Sequence, residues 1–255
     1  MTVRWDIAQS NIQLYGQLQR RGYGDDEISE VARAYRLAQE MFSAQFRGSG
    51  RPFLCHLVGT ASILARDAAP VHLVIAGLLH AVYSAGIFSF DMHRRVSTGK
   101  RARVSKAVGD KVDELLVAYD ALPWSQSALA KFAEHTPVAQ QQVLKIRLAN
   151  ELDDLLDSGL YYSGEAKRSL VESSESRRLL AVLVSRTEMP ALEKELKAAL
   201  LEFSDPAQVL PGAPETVGRD YSYTLLPPSA RERVTYRIAV LRGKINRRLR
   251  RNAVQ

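Results

Sequence analysis

Two histidines in apolar segments are the residues of this 255-residue chain best suited to chemistry. His56 lies in the run FLCHLVGTASILA, and His80 ends the run VHLVIAGLLH, with Tyr83 and Ser84 directly after it. Imidazole, phenol and hydroxyl groups can supply acid–base groups and a nucleophile, so these four residues are the candidate catalytic set. Because Ser84 follows His80 by four positions, the two side chains can also simply hydrogen-bond on one helix face. A buried structural histidine, bonded to a carbonyl group or a water, is the alternative for both rings.

The segments that carry these side chains have the apolar period of α-helices. We predict helices over about 5–18, 25–46, 52–66, 71–84, 104–119, 138–156, 165–187 and 190–203, with a short segment between Pro123 and Pro137. The stretch 86–100 has no clear period and is predicted to be a loop. No alternating strand pattern of useful length occurs, so the predicted fold class is all-α.

Composition divides the chain into three predicted parts: an all-α domain (1–203), an arm or linker rich in proline and glycine (204–228), and a basic amphipathic helix (229–255). The last part has nine basic residues and one acid, a net charge of +8. The whole chain has a net charge of +7, so the other residues sum to 7 − 8 = −1. The body is therefore near neutral, which does not support a nucleic-acid footprint over the whole surface.

The basic C-terminal helix has an apolar stripe made of Val234, Ile238, Leu241, Ile245 and Leu249. Such a helix can lie on an anionic membrane, bind nucleic acid, or dock on the protein itself or on a second copy. Tryptophan and phenylalanine are absent from it, so we favour docking, with the arginines left to contact an acidic partner.

Several classes of protein are excluded or disfavoured by simple counts. The single cysteine, Cys55, rules out an internal disulfide framework. No run of about 18 uncharged apolar residues is present, so no transmembrane segment is predicted. The first ten residues lack the apolar core of a signal peptide, and we predict a cytoplasmic protein.

The region from Arg47 to Gly86 resembles the HD-domain metal phosphohydrolases, and most closely the hydrolase domain of the RelA/SpoT-type enzymes that degrade guanosine polyphosphates. The matching residues are Arg47, Pro52, Phe53, His56, Leu78, Leu79 and His80. The segments VGDKVDELL (108–116) and KIRLANEL (145–152) continue the similarity in the same order. The resemblance spans about 29–203 and implies an HD-domain-like helical bundle.

The departures from the family pattern concern the metal and the attacking water. The family holds its metal with two His and two Asp; His56 and His80 stand at the His positions, but Ala81 and Asn150 stand at the Asp positions. The acidic pair that handles the water is replaced by Ser84 and Ala85. The resemblance therefore implies a degenerate, bacterial HD-derived protein, a pseudoenzyme that holds no metal and no cofactor.

Six residues are predicted to line the inherited cavity and bind a ligand: Arg47, His56, His80, Asn150, Asp153 and Asp154. Asp153 and Asp154 lie one turn beyond Asn150, so they either face the cavity or are solvated or helix-pairing carboxylates. Arg47 faces the cavity or the solvent. With the family carboxylates removed, we expect the cavity to favour a neutral or anionic ligand.

Three functions follow from this pattern. The first is a ligand-binding, regulatory or scaffolding role, with an unidentified small molecule, protein or second copy as partner. The second is an enzyme that uses the same cavity without a metal. The third is a residual metal-dependent nucleotide phosphohydrolase. A closed cavity favours the first function, an open polar cavity favours the second, and bound metal favours the third.

Overall fold

The computed structural model describes residues 7–43, 45–88, 96–157, 170–203 and 223–224. The predicted arm, apart from residues 223–224, and the predicted basic helix at 229–255 lie outside the described residues. By its contacts the chain divides into the units Met1–Tyr223 and Thr224–Gln255, and the described helices all lie in the first. No helix in the described ranges is long and apolar enough to cross a membrane.

The described residues are mainly helical, which confirms the predicted all-α class. The helices are α1 (Asn11–Arg20), α2 (Asp25–Phe42), α3 (Phe53–Arg66), α4 (Val71–Leu79), α5 (Thr98–Val108), α6 (Asp110–Ala121), α7 (Gln126–Glu134), α8 (Val138–Leu156), α9 (Ser174–Val184) and α10 (Pro190–Glu202). The strands β1 (Gln45–Phe46) and β2 (Tyr223–Thr224) have two residues each.

Helices α3 and α4 form the centre of the bundle because both are apolar on most sides. In α4, the seven residues from Leu73 to Leu79 are all buried. Helix α3 packs on α4, α8 and α1, and α4 also packs on α2 and α6. The two central helices approach closely at Gly77, where a Cβ atom would lie 2.5 Å from Cδ1 of Leu64. The two histidines are therefore held by the most buried elements of the fold.

Several predicted helix boundaries are wrong, and two of the differences have a local cause. The predicted helix over 104–119 is two helices, since Gly109 adopts a φ of 86°, a conformation that favours glycine and ends α5. The first helix begins at Asn11 instead of Trp5, because Ser10 and Gln13 form a capping box at its start. Helix α2 ends at Phe42 instead of Phe46. The last two residues of the predicted helix, Gln45 and Phe46, form β1. Helix α4 ends at Leu79, and tight turns follow to residue 85.

The start of α10 is capped by a side chain from another part of the chain. The two carboxylate oxygens of Asp67, after α3, accept hydrogen bonds from the backbone N–H groups of Ala191 (2.8 Å) and Leu192 (2.9 Å). The adjacent Arg66 donates to Glu195 of α10 at 2.6 Å. These contacts satisfy N–H groups that a helix start leaves unpaired, and they fix α10 against the end of α3.

Ala68 provides a test of this connection, because it has a φ of 51° after the end of α3. This left-handed conformation strains any residue with a Cβ atom, so Ala68→Gly should increase the free energy of unfolding by about 0.5–1 kcal/mol. The matched control is Ala102→Gly, on an exposed position inside α5, which should lower it by about 1 kcal/mol. Urea denaturation measures both changes, and a loss of stability in Ala68→Gly would contradict the prediction.

Candidate functional site

The two predicted histidines are in direct contact. His56 of α3 and His80, which follows α4, have their Nε2 atoms 3.2 Å apart, and their rings meet edge to face at 83°. Both side chains are buried, with relative exposures of 1% and 5%. The second ring nitrogen of His80, Nδ1, lies 2.8 Å from the carbonyl oxygen of Gly77. The close packing of α3 on α4 therefore brings together two side chains that are 24 positions apart in the sequence.

Helix α8 supplies two carboxylates to the same place. Asp153 Oδ2 lies 2.6 Å from Nδ1 of His56, and Asp154 Oδ1 lies 3.7 Å from the same nitrogen. One turn earlier on α8, Asn150 donates from Nδ2 to Asp154 Oδ2 at 3.4 Å. Spacings of three and four residues place these three side chains on one side of the helix, and all three are buried.

The loop before α3 supplies two arginines that pair with the carboxylates. Arg51 donates to both oxygens of Asp153, from Nη1 at 2.8 Å and from Nη2 at 3.1 Å, a bidentate pairing. Arg47 pairs with Asp154. The loop is closed by a hydrogen bond of 2.9 Å from the N–H of Arg47 to the carbonyl oxygen of Arg51, and Gly50 takes a φ of 84° in the turn. We refer to these residues as the His–Asp–Arg cluster: Arg47, Arg51, His56, His80, Asp153 and Asp154.

The contacts of the cluster allow its protons and tautomers to be assigned from hydrogen-bond geometry. Nδ1 of His80 faces a carbonyl oxygen, so it carries a hydrogen, and Nε2 of a neutral ring is then an acceptor. The contact of 3.2 Å consequently needs a hydrogen on Nε2 of His56. Nδ1 of His56 and Oδ2 of Asp153, at 2.6 Å, share one further proton. Together, His56 and Asp153 thus carry one proton more than a neutral imidazole and an ionised carboxylate would carry.

The electrostatic environment agrees with this proton arrangement. Burial, followed by the positive charge of His56, lowers the pKa of His80 well below its ordinary value, which keeps that ring neutral. Burial raises the pKa of Asp153 to about 6, although Arg51 acts in the opposite direction. A carboxyl group with such a pKa can hold or release the shared proton near neutral pH.

All six residues predicted to line the cavity lie together in the structure. The sequence allows Arg47 to face either the cavity or the solvent. In the structure its side chain is 10% exposed and pairs with Asp154 of the cluster. Asp153 and Asp154 are buried and face the histidines, so the solvated alternative is wrong. Whether the six residues bind a ligand stays a prediction.

Arg51 is not among the predicted site residues. The sequence has an arginine on each side of Gly-Ser-Gly, which could have indicated that both belong to the site. The partner of Arg51 could not be identified, because Arg51 and Asp153 are 102 positions apart.

The other two candidate catalytic residues direct their hydroxyl groups elsewhere. Tyr83 donates to the carboxylate of Asp113, which Arg101 also contacts with Nε at 2.7 Å. Burial and the neighbouring Asp113 raise the pKa of Tyr83. Ser84 donates to the carbonyl oxygen of Ala81 at 3.4 Å, in the turns that follow α4, and not to His80 as the spacing of four residues allowed. The described contacts thus give no partnership between Ser84 and His80.

The expected charge of the cavity needs correction. Ala81 and Asn150 in place of two aspartates predict a site without carboxylates. The structure places Asp153 and Asp154 there instead, each paired with an arginine. The preference for an anionic ligand, which rested on missing negative charge, is therefore not supported at this site.

The donor geometry can be tested against the metal of an HD-domain hydrolase. Such an ion needs its His and carboxylate atoms at about 2.0–2.2 Å from one point. His56 separates the donors, because Nε2 faces His80 while Nδ1 faces both carboxylates. Donor atoms of His56, Asp153 and Asp154 lie within 4.8 Å of one another, but Arg51 and Arg47 already pair with the two carboxylates. The donor set does not fit a family-type metal in this arrangement.

Comparisons with known proteins agree with the fold. Residues 37–123 match a family described as a domain of unknown function, DUF6817. The probable GTP diphosphokinase RSH3, chloroplastic, of Arabidopsis thaliana is 26% identical over 189 residues, which are 71% of this chain and 25% of that protein. The chain thus spans about a quarter of that relative's length.

A solved structure of a metazoan ortholog of SpoT, which hydrolyses ppGpp and plays a role in starvation responses, superposes with a TM-score of 0.50 and 20% identity. The match covers 69% of this chain and 96% of that chain. At this identity the similarity concerns the fold, and it confirms the predicted HD-domain-like helical bundle.

Gly59 tests how tightly the cluster is packed. A Cβ atom at Gly59 would lie 1.9 Å from Asp153 Oδ1, so Gly59→Ala must displace the carboxylate from Arg51 and His56. We expect it to lower the free energy of unfolding by about 2–3 kcal/mol. Gly16→Ala is the matched control, because its Cβ would meet only the end of the Arg20 side chain, at 3.3 Å, and it should stabilise α1 by about 1 kcal/mol. Equal effects of the two substitutions in urea denaturation would contradict this packing.

The lowered pKa of His80 predicts a specific dependence of stability on pH. As the pH falls below the ordinary value of 6.5, the unfolded chain protonates this ring and the folded chain does not, so the free energy of unfolding decreases. The raised pKa of Asp153 has the opposite effect, since below about 6 the folded chain takes up a proton that the unfolded chain does not take until about 3.8.

Replacing the histidine separates these two contributions. In His80→Gln the acid-side loss disappears, so stability measured at about pH 5.5 relative to about pH 7.5 should increase compared with the unmodified chain. Denaturation curves of both proteins at the two pH values give the comparison. An identical pH difference would show that folding does not lower the pKa of His80.

Proposed function

We propose that this chain is an HD-like domain in which the His–Asp–Arg cluster takes the place of the metal centre. Its role is to bind a ligand, regulate or scaffold, without metal-dependent hydrolysis. The observation that carries the proposal is the pairing of both carboxylates with guanidinium groups, Arg51 with Asp153 and Arg47 with Asp154.

Charge balance supports this function. In a metal site, carboxylates compensate a divalent cation, whereas here two arginines already compensate Asp153 and Asp154. A dication on the same carboxylates would have to displace guanidinium groups whose side chains are only 10–12% exposed. Separating a buried ion pair costs about 3–5 kcal/mol when one charge is left alone. Ala81 and Asn150 offer no further negative ligand.

The burial of the cluster argues against an enzyme that uses these residues without a metal ion. His56, His80, Asn150, Asp153 and Asp154 each expose 5% or less of their surface. A general acid or base has to reach a substrate atom within hydrogen-bond distance. Hydroxyl groups that could act as nucleophiles, on Tyr83 and Ser84, have other partners. A buried, internally satisfied network is typical of a structural or regulatory element.

A residual metal-dependent phosphohydrolase is the second candidate. The observation in its favour is the group of donor atoms from His56, Asp153 and Asp154, which are close enough to converge on an ion if both arginines move away. The related metazoan protein hydrolyses ppGpp, which makes this nucleotide the appropriate substrate to test.

Metal content and ppGpp hydrolysis decide between the two candidates. We expect the purified protein to contain much less than about one transition metal per chain, and Mn²⁺ to leave its melting temperature unchanged, because a ligand stabilises only the folded state that binds it. Incubation with ppGpp and Mn²⁺ should release no pyrophosphate above the background of a reaction without protein. Stoichiometric metal that is lost in His56→Ala, or turnover that is lost in His80→Ala, would overturn the proposal.

The double variant Ala81→Asp/Asn150→Asp is the matched positive control. It restores the two carboxylates at the positions that the family uses, so we expect Mn²⁺ to raise its melting temperature. It should not hydrolyse ppGpp at a useful rate, because Ser84 and Ala85 still stand where the family has acidic residues. Efficient hydrolysis by this variant would show that other residues of the chain can handle the attacking water.

A further inference from the structure

A second candidate site lies away from the His–Asp–Arg cluster. It is a cleft of about 340 Å³ between the end of α7, the first turns of α8 and the connection from α9 to α10. Leu144 and Leu183 are buried apolar residues of its lining, and polar and charged side chains complete it. No residue of the cluster lines it, although α8 contributes to both places. Its volume is at the lower end of the range of small-molecule sites.

The two strongly basic side chains of the cleft lack carboxylate partners. Within the part of the chain that the structure describes, no ion pair or side-chain hydrogen bond is formed by Lys145 or Arg186, both of which line the cleft. Lys145 is half-buried beside Leu144, and its ammonium group has no carboxylate partner among the described residues. An anion in the cleft would provide the missing partner.

The acidic residues of the lining restrict the charge and size of this anion. Glu134 and Glu188 also line the cleft, and both are exposed to solvent. Together with Lys145 and Arg186 they give four charged side chains with a formal charge of zero. This balance disfavours a polyanion that fills the whole opening. It tolerates a compact group that is seated on the half-buried Lys145.

We propose that this cleft binds a small molecule through one carboxylate or phosphate group, which pairs with Lys145 and Arg186. An ammonium group supplies a point charge, and a guanidinium group donates two parallel hydrogen bonds to the oxygens of either anion. The rest of the ligand covers Leu144 and Leu183, and its donors face Glu134 and Glu188. This site is independent of the function proposed for the His–Asp–Arg cluster.

Isothermal titration calorimetry of the full chain with inorganic phosphate, and separately with acetate, tests the proposal at constant ionic strength. We expect binding of at least one of the two probes below about 10 mM, and the probe that binds more tightly identifies the anion class. Lys145→Met should weaken this binding by about tenfold or more. Lys194→Met removes the same charge from an exposed site on α10 and should leave the affinity unchanged. Binding of neither probe, or equal binding by Lys145→Met and the unmodified chain, would overturn the site.

Two further variants guard against misfolding and non-specific salt effects. Arg186 is exposed, so Arg186→Gln should keep the fold and still weaken binding by about tenfold. Lys145→Met should melt at the same or a higher temperature than the unmodified chain, because an apolar side chain of similar length replaces a half-buried one that has no ion-pair partner among the described residues. If phosphate raises the melting temperature of every variant equally, its effect is general exclusion from the surface, and the site is refuted.

Discussion

The ion pair between Arg51 and Asp153 is the interaction on which the rest of the site depends. It joins the loop before α3 to the last turns of α8, and Asp153 in turn holds Nδ1 of His56. The same guanidinium donates to Gln9 Oε1 at 2.7 Å and to the carbonyl oxygen of Cys55 at 3.0 Å. Four parts of the chain thus meet at one side chain. Because the carboxylate is buried, removing either partner leaves a charge that the interior cannot solvate.

The ion pair explains how two histidines and two carboxylates can lie together although they are not arranged around a metal ion. In a metal site all donors point at one ion, whereas here His56 lies between His80 on one side and the carboxylates on the other. The positive charge that balances the carboxylates comes from arginines on the loop. The cluster is thereby a set of internal hydrogen bonds, and its one shared proton lies between His56 and Asp153.

A second layer of contacts connects the cluster to the other side of the bundle. The ring of Tyr119 on α6 lies 5.2 Å from that of His80, and Arg147 on α8 donates to the Tyr119 hydroxyl at 3.0 Å. Arg147 also pairs with Glu151 at 3.1 Å and lies 4.9 Å from the ring centre of Trp124. Helix α8 therefore carries two successive charged layers through an apolar interior. Partners on α6 and on α8 itself satisfy part of the second layer, while Nε of Arg147 and Nε1 of Trp124 are buried without a hydrogen-bond partner among the described residues.

The sequence by itself determined the helices, the two histidines and the departures at Ala81 and Asn150, because helical periodicity and motif order are local properties of the chain. It also placed Asn150, Asp153 and Asp154 on one helix, since their spacing of three and four residues is that of a turn. Only the tertiary structure decided that these carboxylates are buried, and that Arg51 is the partner of one of them. The capping of α10 by Asp67 was equally hidden from the sequence. Each of these contacts joins residues about 100 or more positions apart, and the packing of helices, which local periodicity does not encode, selects which residues meet.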